Sequence, residues 1–263
     1  FDNISLLKNG NIAVVLEKEF AKAEVTQNNV VGIDIGSSTL GAVTLFDMKT
    51  SKVKKQLYFG RDVAKRQRRY ELRRAVLKSL VDKGSHRAKR HLERLKRRQS
   101  NFVKTRNGQI AKEIVLFAKA NNAYIAIEKL KNLRAIKGRI CKNGRKTINR
   151  IPYFQFITFL KSNSELHNIP LFEVNPYHTS KWCSHCGAIN SGHHSKNYSL
   201  YVCKSCKQVV NSDRKASLAI AIKSVLERNT HNLTSLSSFQ VSKTRVPVNA
   251  LLRSDDVDMK VTV

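Results

Sequence analysis

The chain has 263 residues, 41% of them hydrophobic, enough for one large or two small domains with a real core. Its 49 Lys+Arg against 19 Asp+Glu give a formal net charge of +30, an excess that repels itself and calls for a polyanion: nucleic acid first, an anionic membrane second. No run of about 20 apolar residues exists to span a bilayer, no signal peptide is visible, and an opening Phe1 instead of Met is expected of a chain that starts partway through a longer protein or after processing.

Residues 1–29 are ambiguous, with NIAVVLEKEF suggesting a strand and a short helix. VVGIDIGSSTLGAVTLF reads as two strands, 30–35 and 39–46, joined by a tight Gly/Ser turn. KVKKQLYF, 52–59, extends them into an antiparallel meander. Residues 61–106 then change character, with 18 Lys/Arg against 4 Asp/Glu. Leu72, Val76 and Leu80, then Leu92 and Leu95, keep a helical apolar stripe inside this charge, and Gly84-Ser85 divides two helices. A solvated basic hairpin is the bland reading. The imbalance is too one-sided for salt-bridge lacing, which needs both signs at i, i+4, so a phosphate-tracking surface is expected. Arg66, Arg69, Arg73, Arg90, Arg94 and Arg97 are its expected contacts. Few aromatics interleave, which favours backbone contact over base stacking.

A helix over 109–120 leads into a strand at 123–128, followed by a basic loop at 131–150 that contains Cys141, a bystander. Pro152 opens an apolar helix whose Tyr153, Phe154, Phe156 and Phe159 are expected in the core. A strand at 170–174, the cysteine region 178–212 and a helix at 213–227 follow, and the Ser/Thr/Asn-rich tail 228–263 is expected to be mostly loose. This order predicts an α/β fold, a mixed sheet with helices on both faces. The helical crossover lets strand 123–128 lie parallel to strand 30–35.

Cys183-x-x-Cys186 and Cys203-x-x-Cys206, 16 residues apart, have the spacing of a four-cysteine zinc ribbon. Four thiolates leave Zn²⁺ no open position, so the expected ion is structural. Two disulfides or unused thiols are the alternative. His178, His185, His193 and His194 are expected to be solvated or phosphate-facing.

Asp34, Glu128 and Asp213 form the expected catalytic centre. The first two end apolar strands, where a carboxylate is rare unless paired or metal-bound, and the third opens an Ala/Ile-rich helix. Singly, each has a bland reading: a turn residue before Gly36, a partner for Lys129, a favourable charge at a helix N-terminus. Together, three mutually repelling acids suit two Mg²⁺ ions and phosphodiester cleavage by in-line displacement. Arg214 beside Asp213 is expected to touch a phosphate or orient that acid, and Asp47 and Asp62 are expected to be surface charges.

Read in order, GIDIGSS, AIEKL and NPYHTSKWCSHCG…YVCKSC…NSDRKASLAIA resemble the TnpB nucleases of transposons and the related type V CRISPR effectors over roughly residues 30–227. The resemblance implies a RuvC-like (RNase H-like) nuclease domain in three parts, 30–60, 121–177 and 213–227. A basic helical insertion, 61–120, and a zinc ribbon, 178–212, would interrupt it, and 228–263 would form a tail. Asp34, Glu128 and Asp213 match the family's catalytic acids, and Cys183, Cys186, Cys203 and Cys206 match its ribbon. Two departures stand out. The family's N-terminal half, a wedge-like β-barrel with a helical recognition insert, is nearly absent, so 1–29 would be its remnant or a linker. Lys207 follows Cys206 where glycine is common.

The expected function is therefore a Mg²⁺-dependent DNA endonuclease, RNA-guided by resemblance, with guide RNA and target DNA as partners, one structural Zn²⁺ and no membrane contact. A cytoplasmic, nucleoid-associated place in a prokaryote is expected. The alternatives are a guide-free nuclease of the same fold, such as a resolvase, and a nucleic-acid-binding regulator that does not cut.

Overall fold

The computed structural model describes residues 3–7, 10–15, 28–36, 38–129, 153–190, 192, 197 and 199–229. Cys141, the basic loop 131–150, Pro152, His193, His194 and the tail beyond Asn229 lie outside the described residues. A short antiparallel pair, β1 (Asn3–Leu6) and β2 (Ile12–Val15), precedes the main body and exposes Ile4, Leu6 and Ile12.

The main sheet has five strands: β3 (Asn29–Asp34), β4 (Gly41–Asp47), β5 (Lys52–Phe59), β6 (Ala123–Glu128) and β7 (Leu171–Val174). Their order is β5-β4-β3-β6-β7. The β3–β4–β5 meander is antiparallel, as the sequence predicts, and β6 joins β3 in parallel, Ile33 beside Ile127. β7 pairs in parallel with β6.

Strand period assigns the two faces. Val31, Ile33, Ile125 and Ile127 point to one side. There they bury against Ile110, Ile114 and Val115 of α2 (His86–Ala120) and against Phe156 and Leu160 of α3 (Tyr153–Leu166). Val30, Tyr124 and Ala126 point to the other side, against Leu218–Ile222 of α4 (Ser212–Asn229). Gly32 lies on that second face, and any Cβ there would stand 2.2 Å from the Ser217 carbonyl oxygen. The helix therefore rests on bare backbone. Thr44 Oγ1 and Ser217 Oγ, 2.6 Å apart, fix its position along the strands.

α1 (Arg61–Asp82) and α2 form the expected hairpin, broken at Gly84, with the Ser85 hydroxyl accepting from the Ala88 amide at 3.2 Å as the N-cap of α2. Two expectations need correction. The helix over 109–120 is not separate but the last third of α2, which runs through the turn-prone pair Asn107-Gly108 with Asn107 buried and bonded to Gln155. The stripe Leu72, Val76 and Leu80 faces solvent, Leu72 at 64% exposure, while α1 buries Val63, Gln67 and Tyr70 instead. Likewise Phe154 is 84% exposed, whereas Phe156 is fully buried and Tyr153 and Phe159 are partly so. Neighbours on one helical turn point about 100° apart, so only part of an aromatic run reaches the core.

Candidate acidic centre and cysteine cluster

Face and strand direction bring the three acids together. Asp34 is two residues beyond Gly32, and Glu128 two beyond Ala126, so both side chains lie on the α4 face. β3 and β6 are parallel, so both acids stand at the same carboxyl edge of the sheet, where ligands of open α/β sheets collect. α4 runs back along β3: Ser224 meets Tyr124, Ser217 meets Thr44 beside Gly32, and Asp213, one helical turn earlier, reaches the level of Asp34.

The charges behave as one group. Burial first, then the Glu128 and Asp213 charges, push Asp34 up to about 8, with the Lys215 ammonium opposing. Burial raises Glu128, while a hydrogen bond from Thr179 and the charge of Lys223 hold it down. Burial raises Asp213, opposed by Arg61. Tyr153 is pushed up to about 12 by burial and then by Asp34 and Glu128, which places its phenol in the same field. Among the described residues, only the four cysteines form a group of three or more ligating side chains whose atoms all lie within 4.8 Å of one another. The acids are thus near enough to repel, although the three do not all bring oxygens within 4.8 Å of one another.

Glu128 does not pair with Lys129, which is exposed, but with the Thr179 hydroxyl. Asp47 corrects the surface-charge expectation. It is 8% exposed, bonds Lys54 Nζ at 3.0 Å and the Lys49 amide at 2.9 Å, and is held down at about 2, chiefly by Lys54. Asp62 is exposed and pairs with Arg106 at 2.9 Å.

Arg66, Arg69, Arg73, Arg90, Arg94 and Arg97 are all exposed on the α1–α2 hairpin. Arg66 lies over the Phe102 ring, 4.5 Å from its centroid. Nearer the acids, Arg61 and Arg214 both stack on Tyr58, at 4.6 and 5.2 Å, and the Tyr58 hydroxyl donates to Asn211 Oδ1 at 2.8 Å. Sequence reasoning missed Tyr58, Arg61, Tyr153, Thr179, Lys215 and Lys223. Only Thr179 carried a signal, as part of the Thr-Ser pair in the quoted motif.

The cysteines belong to a hairpin built on β8 (Leu200–Val202) and β9 (Val209–Asn211). Each Cys-x-x-Cys closes a turn: the Gly187 amide donates to the Cys183 carbonyl at 2.9 Å, and the Lys207 amide to the Cys203 carbonyl at 3.0 Å. All four are free thiols, which removes the disulfide alternative in this structure. Cys183 and Cys206 sulfurs are 3.8 Å apart, Cys186 and Cys203 sulfurs 3.6 Å. A tetrahedral Zn²⁺ with bonds of about 2.3 Å needs sulfurs separated by about 3.8 Å, so the donor set fits that ion. Hydrogen bonds from the Asn190 amide and the Cys206 and Ser205 backbone outweigh burial and lower the Cys203 thiol, while burial raises Cys183 and Cys206. His178 and His185 contribute no atom to the cluster.

Residues 12–133 match the family model described as a probable transposase, OrfB_IS605, and residues 153–220 match the Cas12f1-like TNB domain. The chain is a relative of the TnpB and type V CRISPR proteins. The CRISPR-associated endodeoxyribonuclease Cas12f1 of Sulfoacidibacillus thermotolerans is 27% identical over 210 residues, which is 75% of this chain and 46% of that protein. A TnpB-like protein of Methanocaldococcus jannaschii is 26% identical over 238 residues, 82% of this chain and 80% of that protein. A solved Cas12f1–sgRNA–target DNA complex superposes with a TM-score of 0.55 at 20% identity, covering 80% of this chain and 52% of the solved one. The chain thus shares the Cas12f fold over most of its length and spans about half, or less, of the Cas12f relatives it matches.

Proposed function

We propose that this chain is the catalytic part of an RNA-guided DNA endonuclease. The observation that carries the reading is the convergence of Asp34, Glu128 and Asp213 from two parallel strand ends and one helix start, where burial and then the two neighbouring charges raise Asp34 to about 8. A RuvC-like fold with parts 30–60, 121–177 and 213–227 accounts for the sheet order and for α4 on its face. The basic hairpin at 61–120 and a zinc ribbon at 178–212 are its insertions.

In this reading Asp34, Glu128 and Asp213 would hold two Mg²⁺. When bound, the ions supply an activated water and neutralise charge on the leaving 3′-oxygen. The remaining work falls to the chain. Burial and the neighbouring acids raise Asp34, so protons compete with a divalent cation for the centre and cation binding strengthens as pH rises. Arg61 and Arg214, stacked on Tyr58, meet the phosphates flanking the cut. The α1–α2 arginines neutralise the backbone of the guide–target duplex, while base pairing to the guide selects sequence. Cys183, Cys186, Cys203 and Cys206 hold one structural Zn²⁺. In this reading its cellular place is the prokaryotic nucleoid.

The test is cleavage of end-labelled single-stranded DNA by the zinc-loaded chain, with Mg²⁺ or EDTA, alone and with a guide RNA, beside Asp213→Ala. Mg²⁺-dependent cutting lost in the variant is expected. Cutting that survives Asp213→Ala sinks the assignment of the acids, and cutting indifferent to the guide favours the guide-free nuclease.

A further inference from the structure

The acidic centre touches one neutral side chain that neither its chemistry nor the family match assigns. Thr179 is 2% exposed and lies in the segment between β7 and the first cysteine turn. Its hydroxyl donates to Glu128 Oε1. The Pro176 carbonyl lies 2.9 Å from the same oxygen, but a hydroxyl has one proton, and the carboxylate is the stronger acceptor. Thr179 is β-branched, which restricts its χ1, so the position of its hydroxyl depends on where its backbone is held.

That backbone is held by an unusual device. Lys215, 3% exposed, sends its ammonium into a cage of three carbonyls: Ser180 at 2.7 Å, Trp182 at 3.1 Å and Thr179 at 3.4 Å. The Tyr201 ring covers the same ammonium at 4.3 Å. Three acceptors match the three protons of a lysine, so the burial of its charge is matched donor for acceptor. Further along the helix, Lys223, 4% exposed, bonds the Tyr177 carbonyl at 2.6 Å. Two buried lysines of α4 therefore fasten the 177–182 segment at both ends. Lys215 lies two residues from Asp213, so one helical turn supplies an acid and also secures the hydroxyl that seats another.

We propose that Thr179 is a positioning residue for the acidic centre: its proton fixes the Glu128 carboxylate, and Lys215, from the same turn as Asp213, fixes Thr179. The proposal rests on the reading of Asp34, Glu128 and Asp213 as a divalent-cation site. An outer hydrogen bond to a ligating carboxylate limits its rotation, and losing such a bond typically weakens metal binding by about 10–100-fold.

The experiment measures Mn²⁺ affinity of the zinc-loaded full chain by the electron-spin signal of free Mn²⁺, with melting temperature and zinc content followed in parallel. Asp34→Asn identifies which Mn²⁺ belongs to the acidic centre. Thr179→Val, which keeps the shape and removes the donor, is expected to weaken that binding about tenfold. Thr179→Ser, which restores the donor, is expected to return it to near the parent value. Lys215→Met is expected to weaken it too, and the double variant to be no weaker than the worse single, because both act through one hydroxyl. Parent-like affinity in a folded Thr179→Val chain overturns the proposal alone. Loss in Thr179→Val that Thr179→Ser fails to rescue also overturns it. Absence of any Asp34-dependent Mn²⁺ in the parent overturns both the proposal and the metal-site reading beneath it.

Discussion

At the level of single residues, backbone conformation separates the two cysteine turns. Gly187 follows Cys186 with φ of 74°, and Lys207 follows Cys206 with φ of 59°. The turns are alike, but the second places a side chain in the left-handed region, at a cost of about 1–2 kcal/mol for an L residue. Part of this returns as lower entropy of the unfolded chain relative to glycine. Lys207→Gly is therefore expected to stabilise the zinc-loaded chain by about 0.5–1 kcal/mol in urea unfolding. A decrease in stability would show that the Lys207 side chain makes a contact outweighing its strained backbone. The sequence comparison marked this position as a departure, but its conformational cost appears only with the positive φ of Lys207 in the structure.

Among elements, the contact between β3 and α4 sets the geometry of the acids. Gly32 lets the helix settle until a Cβ would stand 2.7 Å from the Ala221 amide nitrogen. Gly32→Ala forces α4 outward and takes Asp213 away from Asp34. The expected cost is about 3 kcal/mol, the upper range for overpacking, read as a lower urea midpoint. An unchanged midpoint would mean the helix does not bear on the strand. Much of this architecture was legible beforehand. Short apolar runs announced β3 and β6, the carboxylate at the end of each singled out Asp34 and Glu128, and the helical crossover made the strands parallel. The long-range polar contacts were not legible. Thr179 meets Glu128 across 51 residues, and Lys215 looks from sequence like any helical lysine beside a charged turn. The exposed face of α1 also escaped, because Leu72, Val76 and Leu80 keep a helical period whether or not anything covers them.

Across the whole molecule, the raised acids tie folding to pH and to cations. A carboxyl whose folded value is raised binds its proton more tightly when folded, so stability falls as pH rises from its unfolded value toward its folded one. For Asp34 that window runs from 3.8 to about 8, and the raised Glu128 and Asp213 act in the same direction. Without divalent cations, the melting temperature is expected to fall between pH 5 and pH 8.5 and to recover with saturating Mg²⁺. Asp34→Asn is expected to flatten the fall and to melt about 3 °C or more above the parent at pH 8 without Mg²⁺, the shift that roughly 1 kcal/mol produces in a chain of this size. Parallel curves for parent and variant would show that Asp34 is not the source. Asp47 contributes the opposite way, since its value of about 2 stabilises the fold above pH 4 and is lost in acid.

The three acids also arrive at different times. Asp34 and Glu128 sit side by side once β3 and β6 have paired, but Asp213 follows Glu128 by 85 residues, on the last helix described. At translation rates of about 5–20 residues per second, the ribosome leaves a gap of roughly 4–17 s between the second acid and the third. During that interval the nascent chain exposes basic helices that can already grip nucleic acid, while the centre lacks its third carboxylate and the helix that carries Lys215. Because that helix follows the other described elements, synthesis has a built-in order, in which, under the proposed function, RNA can be gathered before the cutting centre is complete.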